Sequence, residues 1–314
     1  MNLLDLFVKI SVQDEASENV ETLSGKFKNG LATAAKVGAA AVGAAATGIA
    51  VLTKNALNNY AEYEQLVGGA KLMFGEAYDY IADKAKNAYS TVQMSQNDYL
   101  QQVNGFATGL KTALGGNERA AAELADRIIN AEADVVAATG NSQEAVQNAF
   151  NGIMKSNYTM LDNLQIGITP TKEGFQEVID KVNDWNDANG RATAYQIENL
   201  ADCQSALVDY IEMVGMQGYA SREAADTIQG SVASMKGAWS NLLTGIADDN
   251  ADFMALTGNF VDSVVAVGKN IIPRISVILG GISQLVSSAS TTIIPMVITT
   301  ITDNLPMLLQ AAVT

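Results

Sequence analysis

The placement of proline constrains this chain more than any other feature. Its four prolines are Pro170, Pro273, Pro295 and Pro306, so residues 1–169 contain none. A proline inside a helix removes a backbone hydrogen bond and collides with the preceding turn, at a cost of about 3 kcal/mol or more. Nothing of that kind interrupts the first half of the chain. The expected class is mainly α, well above the roughly one third of residues that are helical in an average globular protein. Hydrophobic residues make up 48% of the chain but aromatic residues only 6%. Large rings usually dominate compact cores and small-molecule pockets. Their scarcity predicts helices packed in an extended rather than compact arrangement.

Three regions follow from the pattern along the chain. Residues 1–57 hold a short strand and an Ala/Gly-rich helix. In the strand, Leu4, Leu6, Val8, Ile10 and Val12 alternate with Asp5, Phe7, Lys9, Ser11 and Gln13, the period of two that a pleated strand requires. From about residue 30 to 57 the chain is almost entirely Ala, Gly, Val and Thr, and no charge falls between Val37 and Leu52. That uncharged run is shorter than the ~20 residues that cross a bilayer. Its small side chains suit close helix–helix approach. Two readings stay open: a buried helical seam, or a segment that enters a membrane under some condition.

Residues 58–250 predict a central, bundle-like helical region. Tyr78, Ile81, Ala85 and Tyr89 share one helix face, as do Leu124, Ile128, Ala131 and Val135. Val146, Phe150, Ile153 and Met154 form the next apolar face, and Phe175, Ile179 and Val182 another. Asn97-Asp98 and Gly115-Gly116 read as punctuation, and Gly140 sits where a helix-ending glycine belongs. A helix is predicted near Ile197–Val214, followed by one capped by Ser221 that carries Val232, Met235, Trp239, Leu242, Leu243 and Ile246.

Residues 251–314 form an apolar helical segment with five charges, Asp252, Asp262, Lys269, Arg274 and Asp303. Arg274 and the prolines are expected to divide it into pieces of about ten to seventeen residues, which suit buried or interfacial helices more than spans. The segment stops within an apolar pattern at Ala311-Ala312-Val313. The sequence therefore predicts that the natural protein continues beyond Thr314.

Charge and residue inventory exclude several functions. The net charge is -15, which repels phosphates and gives no direct nucleic-acid site. Partners are expected to be protein surfaces or further copies of the chain. There is no histidine and one cysteine, Cys203. That removes Ser-His and Cys-His nucleophile pairs, Cys-rich metal sites and any internal disulfide. No phosphate-binding glycine loop is present, and the start lacks a secretory signal. Asp248-Asp249 reads as a solvated helix end, and Asp162 as a turn residue. Cys203 has no basic neighbour in sequence to make it a thiolate. Trp185, Trp239, Tyr60 and Tyr63 read as packing residues. No catalytic, cofactor-binding or metal-ligating residue is nominated.

The stretch 117–247 resembles the tail tape measure proteins of tailed bacteriophages and prophages. In that family a helix with an Ala-x-Asp-x-Ala type pattern meets a Gly-containing turn, and a second helix ends in a Leu-Gly-Ile-like turn. The counterparts here are Ala131–Ala138, Gly140, Ala145–Met154 and Leu164–Ile168. A later Leu-Lys-x-Ala-Trp core is matched by Met235-Lys236-Gly237-Ala238-Trp239, with Met in place of Leu. The opening LDLFVKISVQDEAS before an Ala/Gly-rich helix is similar to the family's usual start.

The resemblance implies a non-enzymatic structural protein. A few self-associated copies would line the lumen of the tail tube, set tail length, and be released with DNA delivery. Its partners would be the tail tube protein, tail assembly chaperones and baseplate or tail-tip proteins. Its places would be the virion tail, the host cytoplasm during assembly, and the host envelope on delivery. Residues 37–52 and 271–301 would contact a host membrane. A fully helical chain of this length reaches roughly 470 Å, short for such a ruler, and family members are longer. This agrees with an expected truncation. A different reading is a membrane-active helical protein such as a pore-forming toxin, which shares the Ala/Gly helix and the apolar end. A receptor-like signalling bundle would need sustained heptads, and the Gly-interrupted pattern lacks them.

Overall fold

The computed structural model describes residues 45–287, which contain ten α-helices and no strand. The predicted strand at 3–13 and most of the Ala/Gly-rich arm lie outside them. The part of the arm from Ala45 onward is helical. Residues 61–225 form one compact unit. Residues 45–60 and 226–287 are the described part of a second.

The 61–225 unit is built on α1 from residue 61, α2, α3, α4, α5, α6, α7 and α8. Their ranges are Ala45–Phe74 for α1, Tyr78–Thr91 for α2, Gln96–Ala113 for α3 and Glu118–Thr139 for α4. Gln143–Ile153 is α5, Lys172–Ala188 is α6, Leu200–Met213 is α7 and Tyr219–Asp226 is α8. Two 3-10 turns, Gly75–Ala77 and Tyr158–Leu164, join α1 to α2 and follow α5. Most starts are set by side chains that accept orphan backbone N–H groups. Ser95 and Asp98 make a capping box on α3. Asn117, Ser142, Thr171 and Asn199 cap α4, α5, α6 and α7. Gly140 ends α4 with φ +72°, a left-handed conformation that glycine adopts without strain.

Helix α4 is the centre of this unit, packing on α2, α3, α5, α7 and the Gly75–Ala77 turn. The predicted stripe Leu124, Ile128, Ala131 and Val135 is buried, and so are Ala121, Ala125 and Ile129 beyond it. Between residues 121 and 135 only Glu123 and Arg127 are exposed. Alanines on the other faces leave room for neighbours to close in on several sides. The aromatic core is small in number but fully used: Phe74, Tyr99, Phe106, Phe150 and Phe175 are each buried to 2% exposure or less. Few rings suffice because helices rich in Ala approach closely.

These findings correct several expectations. Residues 61–225 are compact, not extended, because several helices bury a shared core instead of one long arm. The unit lies within the 58–250 region read from the sequence. Asn97-Asp98 lies in the first turn of α3, because the capping box draws that pair into the helix. Ser221 lies inside α8, and Thr227 caps the following helix by accepting from the Gly230 N–H at 2.9 Å.

The second unit contains a hairpin of α9 (Ile228–Ile246) and α10 (Phe253–Ser287). Three pairings fix its antiparallel register. Asn270 donates to the Thr227 carbonyl at 3.0 Å. The rings of Trp239 and Phe260 lie 5.1 Å apart. Gly245 approaches Leu256 so closely that a Cβ there meets the Leu256 side chain. The predicted face Met235, Leu242 and Leu243 is buried in this unit, and Ser240 donates to Asn59 at 2.8 Å. Helix α10 runs through Pro273 without a break. A single proline removes one backbone bond while those on either side remain, so the expected division at Pro273-Arg274 does not occur.

Gly152 supports one prediction. The Lys155 and Asn157 N–H groups fold back onto its carbonyl at 2.9 and 2.8 Å. A Cβ at Gly152 stands 2.7 Å from the Asn157 carbonyl oxygen. Gly152→Ala is expected to lower stability by about 1–3 kcal/mol, read as a reduced urea midpoint with unchanged slope.

Candidate functional site

The polar chemistry of the 61–225 unit gathers on α4. A cleft of about 370 Å³ opens beside it, walled by α2, α4, α7 and the turn at Gln217–Gly218. Its charged groups are Lys84, Asp126, Arg127, Asp134 and Glu212. Helical spacing explains the placement. Asp126, Asn130 and Asp134 recur every four residues, so they line one side of α4.

Each of these acids has partners. Asp126 accepts from the hydroxyls of Tyr99 at 2.7 Å and Tyr80 at 3.0 Å, and from Asn130 at 3.0 Å. Lys84 stands 3.4 Å away. Burial, followed by the negative charge of Asp126, raises the phenols of both tyrosines, so both remain donors. Asp134 accepts the backbone N–H groups of Gly218 and Ala220, each at 2.8 Å. Burial raises its carboxyl and those two hydrogen bonds oppose the rise. From the α2–α3 turn, Gln93 donates to the Ala220 carbonyl at 2.8 Å. The start of α8 is thus held from two elements.

A third acid, Asp209 on α7, is 3% exposed. It pairs with Arg127 and accepts from Tyr195 at 2.7 Å and Asn186 at 3.4 Å. Burial, then Asp209, pushes the Tyr195 phenol up to about 12. Glu212 takes a two-pronged contact from Arg191, which also stacks over Trp185 at 4.4 Å. Three acids at the cleft are paired with bases, Asp126 with Lys84, Asp209 with Arg127 and Glu212 with Arg191, and Asp134 is held by backbone N–H groups. That arrangement fixes helices relative to one another.

The residues weighed in the sequence are scattered. Asp162 is exposed on the Tyr158–Leu164 turn. Asp248 accepts from the Asn250 N–H at 2.9 Å in the turn after α9. Tyr63 packs on the core edge. Cys203 is fully buried, its S–H lies 3.2 Å from the Ile197 carbonyl, and burial pushes its thiol up to about 11. A reactive thiol needs the opposite shift. Sequence reading missed Asp126, Asp134 and Asp209.

Among the described residues no group of three or more His, Cys, Asp or Glu is placed to hold a metal ion. Among them, too, no helix is long and apolar enough to cross a membrane. No protein-family model, curated protein or solved structure matches the chain.

Proposed function

We propose that this chain is a phage tail tape measure protein, acting as a tail assembly scaffold inside the tail tube. The observation that carries the reading is the ordered run Ala131–Ala138, Gly140, Ala145–Met154 and Leu164–Ile168, followed by Met235–Trp239. A mainly helical chain with acidic net charge and charge pairs spent on holding helices together supports it. On this reading the partners are the tail tube protein, tail assembly chaperones and baseplate or tail-tip proteins, with a few copies associating with one another. The protein occupies the host cytoplasm during assembly and the virion tail afterwards. It performs no catalysis. Residues 37–52 and 271–301 meet the host envelope on DNA delivery.

The compact unit changes the length arithmetic. As a straight helix, residues 61–225 span roughly 250 Å, whereas a compact unit of that size has a radius of gyration of roughly 15 Å. Tail length is then measured by other segments, or by this unit in an opened form. Coexpression of the chain with a tail tube subunit tests the reading. The expected result is protease-protected chain within tubes whose length shortens when helical segments are deleted. Tubes of unchanged length without the chain rule the reading out.

A second reading, a membrane-active helical protein, has one supporting observation. Ile272, Val277 and Ile278 on α10 are 64%, 66% and 55% exposed. Dye release from liposomes by the chain tests it, and intact liposomes at saturating protein remove it.

A further inference from the structure

One carboxyl of the 61–225 unit is buried without an answer. Glu132 on α4 is 0% exposed, and neither carboxyl oxygen has a hydrogen-bond partner. The contrast lies on the same pair of helices. Asp126 and Asp134 on α4 and Asp209 on α7 are also buried, yet each accepts at least two hydrogen bonds. An ionised carboxylate buried without a counter-ion is far too costly to persist, so such a group holds its proton. Burial alone pushes the Glu132 carboxyl well above the usual range.

The charged groups on the elements around α4 are engaged elsewhere or face solvent. On α2, Lys84 pairs with Asp126, and Asp79, Asp83 and Lys86 are exposed. On α3, Lys111 pairs with Glu118 and Asp98 caps its own helix. On α7, Asp209 pairs with Arg127, Glu212 with Arg191, and Asp202 accepts from the Gln196 N–H. Glu144 on α5 and Glu76 in the Gly75–Ala77 turn are exposed. Tyr99 is committed to Asp126 and Cys203 to the Ile197 carbonyl. None of them contributes to the Glu132 shift.

We infer that Glu132 is a proton-release trigger: α4 leaves its neighbours in the 61–225 unit as this carboxyl gives its proton to solvent. The direction follows from linkage. Below the ordinary value of 4.5 both the closed and the opened forms hold the proton, and Glu132 exerts no bias. Above it, the opened form has lost the proton while the closed form keeps it. Each further pH unit then favours opening by about tenfold, until the buried carboxyl itself ionises. The Glu132 contribution is thus best on the acid side and is lost as pH rises, opposite to that of a salt-bridged carboxylate.

The chain carries its own reporter. Cys203 is its only cysteine, is fully buried, and sits on α7, which packs on α4. Alkylation of Cys203 in the folded 314-residue chain requires opening. Its rate is compared with that of E132Q and E132L from pH 5 to 8, at low alkylating agent so that reclosing outruns reaction. Thiolate chemistry and the titration of Asp134 are common to all three and cancel in the ratio. The expected ratio of wild-type to variant rate rises by up to tenfold per pH unit and then levels. A ratio independent of pH overturns the inference. E132L replaces the carboxyl with an apolar group of similar size and serves if the buried amide of E132Q prevents folding. Carbon NMR of the Glu132 carboxyl in the intact chain gives an independent reading, and titration at its ordinary value in the folded protein likewise overturns it.

Discussion

Phe150→Ala is expected to destabilise the 61–225 unit by about 3–5 kcal/mol, the range for emptying a buried phenylalanine site. Phe150 is 0% exposed on α5. Its backbone carbonyl accepts from the Gln204 side chain of α7 at 2.8 Å, which holds the surrounding walls in place. Walls held this way collapse poorly onto a void, which favours the upper part of the range. Since whole domains are stable by about 5–15 kcal/mol, the variant is expected to be partly unfolded at 37 °C. Urea titration followed by far-UV circular dichroism measures the loss. Leu72→Ala supplies the comparison: Leu72 is 76% exposed, and its truncation is expected to change stability by under about 0.5 kcal/mol.

Asp126→Ala is expected to cost about 2–4 kcal/mol, because it strands a fully buried Tyr99 hydroxyl and removes the acceptor of Tyr80. Tyr99 is 1% exposed, so water cannot replace the lost acceptor. Lys84 adds little to this figure, since its side chain is 42% exposed and solvent screens it. The coupling is testable by a double-mutant cycle. Tyr99→Phe removes the stranded donor, so Asp126→Ala with Tyr99→Phe is expected to cost less than the sum of the two single changes. Additive losses would show that the Tyr99–Asp126 bond is not what holds α3 to α4. A cost below about 1 kcal/mol for Asp126→Ala alone would contradict the burial of the pair.

The helical character and many helix boundaries were legible without coordinates. Asn117 and Gly140 mark the ends of α4 because capping is a local interaction between a side chain and the nearest backbone groups. The apolar stripes at 124–135 and 175–182 are buried as expected, and so are Val146, Phe150 and Ile153 while Met154 is half-buried, because helical periodicity selects one face whatever it packs against. Where local signals competed, the sequence misled. Ser221 and Thr227 are both good caps, and the contacts of Asp134 and Gln93 with Gly218 and Ala220 hold a start of α8 ahead of Ser221. Pro273 read as a divider, yet α10 passes through it.

The polar site was the least legible part. Asp126, Glu132 and Asp134 look in sequence like the solvated charges of an Ala-rich helix. The partners of Asp126 and Asp134 on other elements come from 27 to 86 residues away, and no periodicity within α4 reports how many sides will be covered. The same holds for compactness. Scarce aromatics point to an extended chain, yet close-packed alanines let a few rings fill a compact core.

By itself, then, the sequence determined the mainly helical class, the caps at Asn117 and Gly140, most of the apolar stripes and the lack of histidine, since each rests on residue identity or on neighbours within one or two turns. Only the tertiary structure decided that 61–225 closes into a compact unit around α4, and that four of its acids lie inside. Of these, three found donors and Glu132 did not. Burial and partnering are properties of the space between helices, and that space exists only once distant segments have met.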